Sequence, residues 1–182
     1  MRTEKIFSAI FLIGIAFKLM LWPGYSILLI ISLMVIATLY FPGAFYFFCD
    51  KVIKRQNLAL SIISGFFLSL IPIGILFKIQ YWPGGQLYLL IGTITAPVIM
   101  AIVLFLKSKA AEDLSIYYKN MFSRTIVLSV LTVLFYLTPT STLLKIQYRS
   151  DPELARLKIL YYENPGNEEY RKQHDEYLLK KK

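Results

Sequence analysis

The sequence holds one cysteine, Cys49, and one histidine, His174. One cysteine excludes an intramolecular disulfide and a cysteine-based zinc site. Cys49 follows Phe47-Phe48 and reads as a free thiol at a helix end, with palmitoylation as the alternative. His174 lies among tail tyrosines and reads as a surface or packing residue, since a zinc site normally needs three or four ligands. Acidic residues number only 11, and none falls inside a long apolar run, which leaves no evident proton carrier within a membrane. There is no phosphate-cradling glycine loop, no His-Glu-x-x-His and no plausible Ser-His-Asp set. The basic stretches lack the interleaved aromatics of a nucleic-acid binder. These gaps point to a non-enzymatic protein with no cofactor, no metal and no nucleic-acid partner.

What the sequence has is apolar length. Hydrophobic residues make up 57% of the chain and mean hydropathy is +0.57. A soluble globular chain is typically about 45–50% apolar. The excess gathers in runs long enough to cross a bilayer, which takes about 20 helical residues. The expected fold is therefore an all-α membrane protein. The net charge of +9 suits a membrane protein whose Lys and Arg flank its spans.

One transmembrane hairpin is expected over 1–48, a second over 58–106, a fifth span over 125–144, and a polar helical tail over 145–182. The basic start followed by an apolar stretch superficially suggests a signal peptide. It lacks a small-residue cleavage site before Lys18, so an uncleaved first span, about Ile6 to Leu21, is expected. The second span, from Tyr25, contains Pro42-Gly43 and either kinks there or leaves the bilayer near Tyr40. Asp50 to Asn57 is a polar connector. Pro72 and Pro97 lie inside the third and fourth runs, and Lys107 to Arg124 reads as a longer polar loop. Thr138-Pro139-Thr140 interrupts the fifth run. In the tail, Asp151-Pro152-Glu153 is a helix start and Asn167 a second cap, which predicts an antiparallel helical pair.

Basic residues set an orientation. Arg2 and Lys5 precede the first span, Lys51, Lys54 and Arg55 follow the second, and Lys107, Lys109, Lys119 and Arg124 follow the fourth. The positive-inside rule places these in the cytoplasm, with the N-terminus.

The organising motif is Phe17-Lys18-Leu19-Met20-Leu21-Trp22-Pro23-Gly24, which recurs as Phe77-Lys78-Ile79-Gln80-Tyr81-Trp82-Pro83-Gly84. Each copy joins two apolar runs. Lys18 and Lys78 sit about one turn from a helix end, within snorkelling reach of headgroups. Trp22 and Trp82 suit the interface, Pro23 and Pro83 end a helix, and Gly24 and Gly84 permit the turn. The motif thus reads as a membrane anchor. A functional reading makes the two lysines one site for an anionic lipid or a partner's carboxylate. Lys145-Ile146-Gln147-Tyr148 repeats Lys78 to Tyr81 and reads as a degenerate third hairpin start. Gly14 and Gly74, four residues before each lysine, are expected to admit a neighbouring helix closely.

The doubled motif resembles the membrane hairpin of the Bacteroidota gliding-motility protein GldL. Gly14, Phe17, Lys18, Trp22, Pro23 and Gly24 match its pattern, as do Gly74, Phe77, Lys78, Trp82, Pro83, Gly84 and Gly92. The resemblance covers about the first hundred residues. It implies a hairpin fold in a bacterial inner membrane and assembly into an oligomer or with a membrane-protein partner. The family's hairpins ring a partner's helix as a proton-driven motor linked to type IX secretion. Its proton-bearing glutamate falls near Ile36 and Ala96, neither of which binds a proton, and its long cytoplasmic region is missing. A scaffold or accessory role is therefore expected. The alternative is a small transporter or channel built from a parallel hairpin repeat.

Overall fold

A computed structural model describes residues 2–44, 48, 57–110 and 112–180. The expectations for Cys49 and for most of the polar connector before Asn57 lie outside them. Among the described residues there are eight helices and no strand: α1 (Arg2–Leu19), α2 (Tyr25–Tyr40), α3 (Leu58–Ile79), α4 (Gly85–Lys109), α5 (Glu112–Leu137), α6 (Thr140–Gln147), α7 (Pro152–Glu163) and α8 (Glu168–Lys180). The protein is an all-α membrane protein.

Three described helices are long and apolar enough to span a membrane: α3, α4 and the Leu114–Leu137 part of α5. At about 1.5 Å per residue each exceeds the ~30 Å hydrocarbon core. Five spans were expected. α2 has only 16 residues, because Phe41 is extended and Pro42 cannot continue the helix. The regular helix ends at Tyr40, before Pro42-Gly43. α1 has 18 residues but carries Arg2, Glu4, Lys5 and Lys18. Pro72 and Pro97 lie inside continuous helices.

The fifth apolar run also differs from its expected bounds. Its helix begins at Glu112, inside the stretch read as a polar loop, and stops at Leu137 rather than Leu144. The early start follows from packing. Tyr117, Tyr118 and Met121 are buried in the core, while Lys119 stays exposed. The Tyr117 hydroxyl pairs with that of Ser61 at 2.8 Å and donates to the Asn57 carbonyl at 3.2 Å.

α3 is the central helix, packed against α2, α4 and α5. Leu68, Ile71, Ile75, Leu76 and Ile79 along it are fully buried. α4 and α5 instead present Leu87, Ile94, Val98, Val127, Val130 and Leu134 outward. An apolar outer surface of this kind matches lipid rather than water. Between lipid-immersed helices the hydrophobic effect gives little drive, so close approach and polar contacts hold the bundle. Glycines supply the approach. A Cβ on Gly14 would lie 3.0 Å from the Leu29 side chain, and one on Gly74 would meet Tyr88 Cβ at 2.9 Å and the Leu89 backbone nitrogen at 3.0 Å. Gly92 sits between Ile71 of α3 and Thr132 of α5.

The tail forms the expected helical pair. The Asp151 carboxylate caps α7 through the Leu154 amide at 3.1 Å, and Asn167 caps α8 through the Glu169 amide at 2.9 Å. Tyr161 stacks on His174 with centroids 5.8 Å apart, and the Tyr177 hydroxyl donates to Asp151 at 2.8 Å.

Candidate functional site: the lysines at two Trp-Pro-Gly turns

The two turns share one backbone geometry. The Trp22 amide reaches back to the Phe17 carbonyl at 2.9 Å and the Leu21 amide to Lys18 at 3.2 Å. In the second copy, Trp82 reaches Phe77 at 2.8 Å and Tyr81 reaches Lys78 at 3.3 Å. These are the paired bonds of a Schellman helix end, which needs a left-handed residue at its bend. Leu21 and Tyr81 fill that position, at φ 57° and 60°. The motif's spacing follows from this geometry. A Schellman end brings together the side chains at the start and finish of its longer bond. Phe17 meets Trp22 edge-on at 5.0 Å, and Phe77 meets Trp82 at 5.3 Å. Gly24 and Gly84 then take φ 89° and 90° as the following helix begins. Trp22 and Trp82 remain about half exposed at the bundle end.

Lys18 and Lys78 do not extend outward. They are 7% and 3% exposed. The Lys18 ammonium donates to the Ile79 carbonyl, the last residue of α3, at 2.7 Å. It also lies 4.6 Å from the Tyr81 ring centroid and 5.4 Å from that of Tyr25. Lys78 donates to the Gln86 side chain at 2.9 Å and to the Tyr136 carbonyl, near the end of α5, at 3.3 Å. The last carbonyls of a helix have no partner within it and carry partial negative charge. Each lysine therefore caps the next odd-numbered helix: α1 holds α3, and α3 holds α5. The residue eight positions after each lysine joins in. Ser26 contacts Gln80, and Gln86 donates to the Tyr136 carbonyl at 3.4 Å. The lysines thus share a role without sharing a pocket.

The echo at Lys145 to Tyr148 has a different setting. It closes the eight-residue α6 instead of ending a long helix. Gln147 there donates to the Tyr25 hydroxyl at 3.0 Å, which folds α6 back over the first turn.

At the opposite end of the bundle, Arg124 of α5 pairs with Glu4 of α1 at 3.2 Å, and the Tyr40 hydroxyl approaches the same carboxylate at 3.4 Å. Glu4, at the edge of the expected first span, is thus inside α1 and only partly exposed. Beside this pair a cleft of about 650 Å³ opens, with walls from α1, α2, α3 and α5. Sequence reading gave no role to Glu4, Ser26 or Gln86 and took Arg124 only as a basic loop residue, whereas it lies in α5 and pairs with Glu4. The eight-residue spacing after each lysine was a usable signal for Ser26 and Gln86. No local pattern links Glu4 to a residue 120 positions away.

The positions aligned with the GldL glutamate, Ile36 and Ala96, are 8% and 0% exposed. Comparison with family models, with curated proteins and with solved structures gives no match.

Proposed function

We propose that the chain is a non-enzymatic scaffold or accessory protein of a bacterial inner membrane, its N-terminus cytoplasmic, built on a duplicated hairpin of the GldL kind. It assembles with itself or with a membrane-protein partner, in a gliding- or secretion-related complex. The observation that carries this reading is the pair of lysine caps. The charges nearest the apolar core are used to join one hairpin to the next helix, as suits a rigid structural unit. The exposed apolar faces of α4 and α5 and the helical tail offer contact surface. Crosslinking in native membranes, followed by mass measurement of the extracted complex, tests it. A discrete oligomer or a stoichiometric partner supports the reading, and a monomer without partners overturns it.

The cleft between α1 and α5 favours a second reading, a small transporter. Its volume lies within the range of small-molecule sites. Flux in reconstituted vesicles that Ser8→Trp abolishes would replace the scaffold reading with this one.

A further inference from the structure

A groove of about 430 Å³ lies where α6 meets α7, distinct from both turns and from the α1–α5 cleft. Three cations line it: Lys145 and Arg149, one helical turn apart in sequence, and Arg156 from α7. Its floor is apolar, with Ile159 and Leu160 contributing. Among the described residues no acid lines it. Two carboxylates, Asp151 and Glu153, flank the lining Pro152 in sequence. Asp151 is buried, caps α7 and accepts from Tyr177. Glu153 reaches Arg156 only at 3.8 Å, with both side chains largely exposed.

The groove lies toward the end of the bundle that holds the Trp-Pro-Gly turns. α6 begins three residues after the spanning α5 ends, and Gln147 bonds Tyr25 beside the first Trp-Pro-Gly turn. Half-exposed Trp22 and Trp82 mark that end as interfacial.

We propose that this groove binds an anionic phospholipid of the adjoining leaflet, its phosphate held by Lys145, Arg149 and Arg156 and its upper acyl chain lying along Ile159 and Leu160. The charge complementarity is one-sided: three cations line the groove, no acid does among the described residues, and only Arg156 has a carboxylate, that of Glu153, within 4 Å. Juxtamembrane clusters of Lys and Arg are recognised means of holding anionic lipid. An apolar floor beside the cations fits a headgroup joined to a chain better than a free anion. The site accounts for basic residues retained at the turn end, opposite the main basic loops. It does not depend on the scaffold role.

The test reconstitutes the full chain in vesicles of equimolar phosphatidylglycerol and phosphatidylcholine. Lipid retained after mild extraction is then counted by native mass spectrometry. Wild type should retain phosphatidylglycerol preferentially, and the triple variant Lys145→Gln, Arg149→Gln, Arg156→Gln should lose that preference by about tenfold. The charge-keeping variant Lys145→Arg, Arg149→Lys, Arg156→Lys should retain it, which separates loss of charge from loss of fold. A control at the other end, Lys107→Gln, Lys109→Gln, Lys119→Gln, should also retain it. Equal retention by wild type and the first triple variant overturns the proposal, as does equal loss in the control. Displacement of the lipid by inorganic phosphate would identify a free-anion site and overturn it too.

Discussion

The Lys18 ammonium of α1 lies 2.7 Å from the Ile79 carbonyl that ends α3, 61 residues further along the chain. Lys78 makes the corresponding contact with Tyr136 of α5, 58 residues on. A hydrogen bond to a charged group contributes about 1.5–3 kcal/mol, and more when its loss leaves a buried acceptor unsatisfied. Lys18→Met and Lys78→Met should each lower unfolding stability in detergent by about 1.5–3 kcal/mol. Denaturant titration of the two variants checks this. Unchanged midpoints would mean that the ammonium groups do not hold the helix ends.

Leu21 and Tyr81 both adopt left-handed backbone, which disfavours a side chain by about 1–2 kcal/mol. Their side chains differ in use. Leu21 is partly exposed, whereas the Tyr81 ring lies under Lys18. Leu21→Gly should raise the unfolding midpoint, by about 0.5–1 kcal/mol in stability. Tyr81→Gly should lower it, because the lost ring contact outweighs the relieved strain. Changes of the same sign at both positions would contradict this account.

Gly14 and Gly74 occupy matching places but face different obstacles. An added methyl at Gly14 meets the Leu29 side chain, which can shift, at 3.0 Å, and the fixed Leu28 Cβ only at 3.3 Å. At Gly74 it meets the Leu89 backbone nitrogen and Tyr88 Cβ, which cannot. Overpacking typically destabilises by about 1–3 kcal/mol. Gly74→Ala should fall in that range, and Gly14→Ala should be milder. Thermal unfolding of the two variants, side by side, would show a reversed order if α3 and α4 approached less closely than described.

Glu4 and Arg124 join α1 to α5 across the mouth of the cleft. Their side chains are 22% and 14% exposed, so solvent screens the pair only in part. A double-mutant cycle with Glu4→Gln and Arg124→Gln should give a coupling of about 0.5–1.5 kcal/mol. The reversed pair, Glu4→Arg with Arg124→Glu, should be more stable than Arg124→Glu alone. Additive single effects would show that the bridge does not bind α1 to α5.

The turn sites were legible because their signals are local. Phe, Trp, Pro and Gly at fixed spacing encode a Schellman stop and a left-handed restart, and both copies fold that way. The tail caps Asp151 and Asn167 were legible for the same reason. Span boundaries were less so. Glu112 to Arg124 reads as polar along the chain, yet Tyr117, Tyr118 and Met121 make one face of it apolar against the core. The polar composition of that stretch concealed the start of its helix, while the count of long apolar helices fell to three because α2 is short and α1 carries four charges.

The sequence by itself determined the helical class, the membrane setting, the position of each sharp turn and the pairing of the tail. Each depends on runs, periods or caps within a few residues. Only the tertiary structure decided where the lysines go. An ammonium one turn from a helix end can reach headgroups or any nearby row of unpaired carbonyls, and local sequence does not distinguish them. The packing of α1 beside α3, and of α3 beside α5, brings the free carbonyls of Ile79 and Tyr136 within reach. The same packing turns two apparent anchors into the links between hairpins.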